Sequence, residues 1–296
     1  MLIALAQLNP LIGDLQGNSA RLLEAALAIS KQANAAGHSP DTPLLVVTPE
    51  LSLWGYPPRD LLLRPSLIEQ QGLLLDHLAA ALAAQLPQVA LLVGIAEPSG
   101  GSGLPNLHNS IALVEGSGWR SVYRKQLLPS YDVFDERRYF AAGPGSGVLT
   151  WPQDADGLRL GLTVCEDLWV EPELIGQQLA GPDPIAALQG SGIDLLLNLS
   201  ASPFGLGKLA LRQQLAARAA ARLGAPVVYV NQVGGNDELV FDGASFVVVP
   251  NGRVIEQLDH CREQTSVLNT ADLPAAITAP HVATQRDPSA QEQPST

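Results

Sequence analysis

Cysteine is scarce in this chain of 296 residues, and long apolar runs are missing from it. The two cysteines, Cys165 and Cys261, are too few for the disulfide framework of a small secreted protein. No apolar run reaches the roughly 18 residues that a membrane-spanning helix needs. Residues 1–7 have neither a basic region nor a long apolar core, so no secretory signal peptide is predicted. These absences predict a cytoplasmic protein that does not enter a membrane.

Positive charge is also in short supply. The chain has 17 Lys and Arg residues and 29 Asp and Glu residues, which gives a net charge of −12. A surface of this sign does not attract nucleic acid or anionic membranes, so neither is predicted as a partner. His77, His108 and His260 are scattered without the spacing of metal ligands, and no metal site is predicted.

Strand-like and helix-like segments alternate along the chain, which predicts an α/β layered domain over residues 1–277. The pattern suggests two halves, each with two helices and several strands. Strands are predicted at 2–7, 44–47, 89–96, 109–115, 119–124, 158–164, 194–198 and 226–231, and a hairpin at 244–249 and 253–257. Helices are predicted at 18–36, 61–86, 184–189 and 209–223, the first with Asn18 as its N-cap. The polar residues 278–296 are predicted to be disordered.

Three of the predicted strands are followed, within three residues, by a chemically reactive side chain. Glu50 follows the strand at 44–47, Lys125 follows 119–124, and Cys165 follows 158–164. A strand end gives a nucleophile a rigid support and a turn that lifts its sulfur into a cleft. A thiol, whose ordinary pKa is about 8.5, needs a base or a cation to become the attacking thiolate. Glu50 is the candidate base and Lys125 the candidate stabiliser of an oxyanion.

Each of these residues also has a simpler interpretation. Cys165 would be a small buried hydrophobic residue, Glu50 a solvated carboxylate at a strand end, and Lys125 a surface lysine. Glu136 is either a second carboxylate of the same site or a surface ion-pair partner. The three residues together, each at a strand end, favour the catalytic interpretation.

The residues Glu50, Lys125 and Cys165 resemble the signature of the nitrilase, or carbon–nitrogen hydrolase, superfamily, which has Glu, Lys and Cys in this chain order. A closer resemblance is to the glutaminase domain of the glutamine-dependent NAD synthetase family, and it spans nearly all of the chain before the polar tail. It is carried chiefly by the segments GYPPRDLL at 55–62, YDVFDERRYF at 131–140 and NQVGGNDELVFDG at 231–243.

The resemblance implies an α-β-β-α sandwich that hydrolyses glutamine to glutamate and ammonia. Cys165 would attack the amide carbon, Glu50 would take its proton, and Lys125 with the backbone N–H of Glu166 would stabilise the oxyanion. Glu136 would support the site, and Glu166 would hold the substrate ammonium group. The implied substrate-binding residues are Tyr56, Tyr131, Glu166, Ser200, Ser202 and Arg212.

The resemblance also bears on cofactors and partners. The glutaminase step needs no cofactor, whereas ATP and Mg²⁺ serve a synthetase domain that carries a Ser-Gly-Gly-x-Asp-Ser loop. That loop is missing here, so the synthetase domain is expected to be absent, whether the chain is truncated, excised or stand-alone. A separate or fused ammonia-dependent NAD synthetase is the expected partner, and family members form homo-oligomers. The alternatives are an amidase of the nitrilase family acting on another small amide and a catalytically silent scaffold domain.

Overall fold

Two six-stranded β-sheets lie face to face in the computed structural model of the chain, which describes residues 1–101, 103–153, 157–176 and 180–274. The strands are β1 (Leu2–Gln7), β2 (Leu44–Val47), β3 (Val89–Pro98), β4 (Leu107–Glu115), β5 (Gly118–Arg124), β6 (Gly147–Trp151), β7 (Leu158–Val164), β8 (Leu195–Ser200), β9 (Val227–Asn231), β10 (Val233–Asn236), β11 (Leu239–Asp242), β12 (Phe246–Val248), β13 (Val254–Gln257) and β14 (Gln264–Asn269). The helices are α1 (Leu15–Ala35), α2 (Pro65–Gln85), α3 (Pro172–Ile175), α4 (Pro184–Leu188) and α5 (Lys208–Leu223). The first sheet has the order β14-β1-β2-β3-β4-β5, the second β13-β12-β9-β8-β7-β6, and β10 and β11 form a separate pair.

Apolar side chains on both faces of the central strands build this layered arrangement. In β1, Leu2 and Ala4 point into a core shared with α1 and α2, whereas Ile3 and Leu5 point into the core between the two sheets. A third core lies between the second sheet and helices α4 and α5. Strands buried on both faces read as continuous apolar runs, which is why they are recognisable in the sequence. The predicted α-β-β-α sandwich is confirmed.

The predicted N-cap of the first helix is wrong. Helix α1 begins at Leu15, and the carboxylate of Asp14 accepts a hydrogen bond from the backbone N–H of Gly17. Asn18 lies inside the helix and is buried. Its amide donates to the backbone oxygens of Leu11 and Leu53 at 2.7 and 3.1 Å. The residue therefore fixes two loops against the helix instead of starting it.

Other differences occur where the sequence pattern is weak. The helix predicted at 61–86 is shorter, because Arg59–Leu63 forms a separate 3₁₀ turn before α2. Strands β6, β10, β11 and β14 were not predicted. Strand β14 pairs antiparallel with β1, and all six of its residues are only partly buried, so it lacks an apolar run. The predicted disorder of 278–296, and the last residues of the predicted domain at 275–277, lie outside the described residues.

The direction of the strands brings the candidate residues to one edge of the sandwich. Strands β1, β2 and β3 are parallel, and β5 runs the same way because β4 is antiparallel to both of its neighbours. In the second sheet β7, β8 and β9 are parallel. The carboxyl ends of β2 and β5 in one sheet and of β7 and β8 in the other are thus followed by Glu50, Lys125, Cys165 and Ala201.

Candidate active site

Glu50 and Lys125 form a buried ion pair between the two sheets. The Lys125 Nζ lies 2.7 Å from Glu50 Oε1, and neither side chain is accessible to solvent. Glu50 Oε1 also accepts a hydrogen bond from the amide of Asn109 at 2.7 Å, and Oε2 accepts one from the backbone N–H of Ala201 at 3.1 Å. The solvated glutamate and the surface lysine considered from the sequence are therefore excluded. Two donors occupy Oε1 and one occupies Oε2, so Oε2 retains room for a proton.

The turn that carries Glu50 depends on a glycine in the neighbouring strand. Leu51 has a φ of +46°, and its backbone lies against Gly94 of β3. A Cβ atom at position 94 would stand 2.1 Å from the Leu51 nitrogen, so no side chain fits there. The Gly94 N–H donates to the Ser52 hydroxyl at 3.1 Å, and that hydroxyl bonds Thr48 Oγ1 at 2.7 Å. A tight, hydrogen-bonded turn thus fixes the carboxylate.

Glu136 joins the ion pair as a second buried carboxylate. Its Oε1 accepts hydrogen bonds from Lys125 Nζ and from the Tyr56 hydroxyl, both at 2.8 Å. Burial raises the pKa of Glu136 to about 7, against the opposing charge of Lys125 and with a further rise from Glu50. The alternative of a surface ion pair is excluded, since the residue is 5% exposed. Lys125 uses two of its three N–H donors on the carboxylates, which leaves one for another acceptor.

Cys165 begins a sharp turn at the end of β7. Its φ is +43°, a left-handed conformation that costs free energy in a residue other than glycine and is found at functional sites. Residues Cys165–Leu168 form a 3₁₀ turn, and Cys165 as a whole residue is 9% exposed. Burial, and next the charge of Glu50, raise the pKa of the Cys165 thiol. The resting group is therefore a protonated thiol, which needs a base before it can attack.

A cavity of about 240 Å³ opens beside this thiol. Cys165, Glu166, Tyr56, Tyr131 and Ser202 line it; we call it the thiol cavity. The other lining residues are Pro129, Asp132, Phe134, Trp169, Leu174, Ile175, Pro203, Lys208 and Leu211. The wall thus combines aromatic and aliphatic surface with a few polar groups, as small-molecule sites usually do.

Opposite charges stand on the wall of the thiol cavity. Glu166 is 6% exposed and accepts a hydrogen bond from the Tyr131 hydroxyl at 2.7 Å. Burial raises its pKa, and the bond from Tyr131 opposes that rise. Lys208 is the only Lys or Arg among the described residues of the wall, and its Nζ lies 5.4 Å from the ring centre of Trp169. Burial lowers the pKa of Lys208, and the nearby Cys165 partly restores it.

Not every residue implied by the resemblance reaches this wall. Tyr56, Tyr131, Glu166 and Ser202 line the cavity, whereas Ser200 and Arg212 do not. Arg212 is 1% exposed. Its Nη2 lies 2.6 Å from Asp242 Oδ2, and its Nη1 donates to the backbone oxygen of Ser202 at 3.2 Å. Sequence reasoning missed Lys208, which opens α5 one helical turn before Arg212. The only sequence feature that could have indicated Lys208 is its position at the start of a helix, six residues after Ser202.

In the ranges given above, no group of three or more His, Cys, Asp or Glu side chains is arranged to hold a metal ion. Among the same residues, no helix is both long and apolar enough to cross a membrane.

Comparison with known proteins identifies relatives over nearly the whole chain. The carbon–nitrogen hydrolase family matches residues 2–279. The glutamine-dependent NAD(+) synthetase of Synechocystis sp. is 42% identical over 270 residues, which are 90% of this chain and 46% of the relative. The enzyme of the same name from Thermotoga maritima is 38% identical over 86% of this chain and 39% of its own length. The chain therefore spans less than half the length of these relatives.

Two solved structures of other proteins share the fold of this chain. The glutamine-dependent NAD+ synthetase of Acinetobacter baumannii superposes with a TM-score of 0.71 at 31% identity, over 90% of this chain and 44% of that protein. An amidase of the nitrilase superfamily from Nesterenkonia superposes with a TM-score of 0.69 at 25% identity. That match covers 90% of this chain and 89% of the amidase.

Proposed function

The chain belongs to the carbon–nitrogen hydrolase family, and we propose that it hydrolyses the side-chain amide of glutamine to glutamate and ammonia. The observation that carries the proposal is the buried Glu50–Lys125 pair beside a cavity that holds the Cys165 thiol and charges of both signs, the carboxylates of Glu166 and the exposed Asp132 and the ammonium group of Lys208. The pair supplies a base and a cation, and the charges match the two ends of an amino acid. The relatives named glutamine-dependent NAD(+) synthetases support this choice of substrate.

The first half-reaction forms a thioester. Glu50 Oε2 takes the thiol proton as the Cys165 sulfur attacks the amide carbon of glutamine. The free N–H of Lys125 and the backbone N–H of Glu166 donate to the oxygen of the tetrahedral intermediate, where preorganised donors in a dry site lower the barrier most. Glu50 then gives its proton to the amide nitrogen, the C–N bond breaks, and ammonia leaves.

The second half-reaction restores the enzyme. Glu50 takes a proton from a water molecule, whose oxygen attacks the thioester carbon. The same two donors hold the oxyanion again, the C–S bond breaks, and the sulfur recovers a proton from Glu50. One glutamine and one water give one glutamate and one ammonia, so no cofactor is required for this step.

Charge complementarity explains how the thiol cavity would select glutamine. Glu166, oriented by Tyr131, would bind the α-ammonium group of the substrate. Lys208 would bind the α-carboxylate, with Ser202 as a neighbouring donor whose hydroxyl has no partner among the described residues. The charge of Arg212 is already neutralised by Asp242, and neither Arg212 nor Ser200 lines the cavity. These two residues would support the binding wall without contacting the substrate. An amide without the amino-acid head group would lose both ionic contacts.

The ammonia would serve NAD biosynthesis. The relatives with this name are more than twice as long as the matched segment, so the step that consumes the ammonia would take place on a synthetase, either fused or separate, using ATP and Mg²⁺. Assembly into a homo-oligomer is part of the same proposal and rests on the family resemblance.

A simple amidase is the second candidate. It is favoured by the superposition on the Nesterenkonia amidase, which this chain matches over 89% of that protein's length. A silent scaffold domain is the third, and it has no need for a buried base beside a thiol.

A substrate panel separates the three candidates. We would measure kcat/KM for ammonia release from glutamine, asparagine and propionamide under identical conditions. Glutamine is expected to exceed propionamide by at least about 10²-fold, because two charged contacts are lost with the head group. A preference for propionamide would favour the amidase, and no turnover of any amide would favour the scaffold.

A further inference from the structure

Asp167 is a fully buried carboxylate close to the reaction centre, and the reaction steps above do not use it. It lies two residues after Cys165. Its Oδ1 accepts hydrogen bonds from the backbone N–H groups of Gln126 and Leu127 at 3.1 and 2.9 Å. Its Oδ2 accepts the backbone N–H of Val164 and the hydroxyl of Tyr123, both at 2.9 Å. Four donors thus fill a group that can accept about four hydrogen bonds.

These donors come from both sheets. Gln126 and Leu127 directly follow Lys125 at the end of β5, and Tyr123 lies within β5 of the first sheet. Val164 is the last residue of β7 in the second sheet and directly precedes Cys165. One carboxylate therefore links the segment that holds the ammonium group of Lys125 to the segment that holds the nucleophile.

The hydrogen bonds of Asp167 can fix the position of one sheet relative to the other, which the apolar core cannot do. The core between the sheets is apolar, and burial of apolar surface is not directional, so it does not fix how one sheet sits along the other. Hydrogen bonds to a buried carboxylate are directional and stronger than those between neutral groups. The bond to Val164 also restrains the turn in which Cys165 adopts its positive φ.

We propose that Asp167 is a positioning residue that fixes the Cys165 thiol relative to Lys125 and Glu50 across the two sheets. This inference rests on the proposed reaction, although its test does not depend on the substrate being glutamine. A residue that only stabilises the fold would, when replaced, lower the melting temperature and leave the rate of the remaining folded enzyme unchanged.

The test compares Asp167→Asn with Tyr123→Phe, both in a Cys261→Ser background, so that Cys165 is the only thiol. Either orientation of the asparagine amide turns its NH₂ group toward at least one backbone N–H, so at least one main-chain contact is lost. Tyr123→Phe removes a side-chain donor and leaves all three main-chain contacts. We expect Asp167→Asn to lower kcat about 10²-fold with little change in KM, and Tyr123→Phe to lower it about tenfold or less.

The second readout is the rate constant for alkylation of Cys165 by iodoacetamide. Asp167→Asn is expected to slow it about tenfold, because the thiol no longer meets its base. The control is Glu97→Gln. It replaces a carboxylate that accepts hydrogen bonds from Arg124 and Ser110 and does not contact Asp167. It is expected to change neither kcat nor the alkylation rate. A folded Asp167→Asn variant whose kcat and alkylation rate both stay within threefold of the parent would overturn the proposal. If no amide is hydrolysed at all, the proposed function fails and the alkylation rates still decide the role of Asp167.

Discussion

At the scale of single residues, burial decides the chemistry of the site. Lys125 lies between the carboxylates of Glu136 and Glu50 with no access to solvent, and although burial opposes them, the charges of these two groups raise its pKa well above the ordinary value. It therefore remains a cation throughout the proposed reaction. The pKa of the Cys165 thiol is also raised, in this case by burial, but for a thiol this means that the resting group is protonated and neutral. Glu50 is therefore needed to take the proton from the Cys165 thiol.

Lys208 provides the first residue-scale prediction. We expect Lys208→Met to raise KM for glutamine about 10- to 100-fold, because one charge-assisted contact of roughly 1.5–3 kcal/mol is lost, while kcat changes less. Arg218→Met removes an exposed cation from the same helix and serves as the matched control. Steady-state kinetics on the three proteins measure the effect. A normal KM in Lys208→Met would remove Lys208 from the binding site.

The buried ion cluster gives a prediction about pH. Burial raises the pKa of Glu136 to about 7 from its ordinary 4.5, so the folded state binds this proton more tightly than the unfolded state. The stabilisation is complete below the unfolded pKa and is lost as the pH rises through the folded one. Lys125, Glu50 and Tyr56 face this carboxyl, so comparison of the wild type with Glu136→Gln reports the titration of Glu136 together with its charge coupling to these neighbours.

The expected result is a convergence of the two proteins' unfolding free energies, or a crossing, as the pH rises. Between about pH 5 and 8 the wild type should lose on the order of 3 kcal/mol of unfolding free energy that Glu136→Gln does not lose. Urea unfolding at several pH values measures it. Parallel curves for the two proteins would show that Glu136 does not titrate in this range.

At the scale of elements, the turn after β2 decides where the base lies. We expect Gly94→Ala to destabilise the fold by about 1–3 kcal/mol, since the new methyl group would overlap the backbone of Leu51. It should also lower kcat at least about tenfold by shifting Glu50. Chemical unfolding and steady-state kinetics measure the two effects.

Gly72→Ala is the matched control for that substitution. Gly72 lies in α2, and a Cβ there would meet no atom within 4 Å. Alanine in a helix interior is expected to be stabilising by about 0.5–1 kcal/mol, with unchanged kcat. Equal behaviour of the two variants would contradict the role given to the turn after β2.

The same scale shows what the sequence can predict. Glu50, Lys125 and Cys165 were placed correctly at strand ends, because strands buried on both faces are continuous apolar runs that stop sharply. Strand β14 was missed because four of its six residues are polar and all six are only partly buried, so it has no apolar run, although Val267 and Leu268 each pack against a core. Lys208 and Arg212 lie four residues apart, on the same face of α5. Which of them reaches the cavity depends on Asp242, thirty residues away, and no local pattern records that contact.

At the scale of the whole molecule, the site exists because two sheets meet. The base and the cation come from the first sheet, and the thiol comes from the second. Neither half of the sandwich contains the full set, so the proposed activity requires the complete domain. The paired sheets also exclude water from the Glu50–Lys125 contact, which strengthens it.

The most direct test of this account is the release of glutamate from glutamine by the wild type, Cys165→Ala and Cys261→Ala, with thermal melts to confirm that each is folded. Wild type and Cys261→Ala are expected to turn over equally, because Cys261 is exposed and does not line the thiol cavity. Cys165→Ala is expected to fall by roughly 10⁴-fold or more, as when other enzymes lose their nucleophile. A folded Cys165→Ala protein that kept more than a few per cent of the wild-type rate would contradict the account.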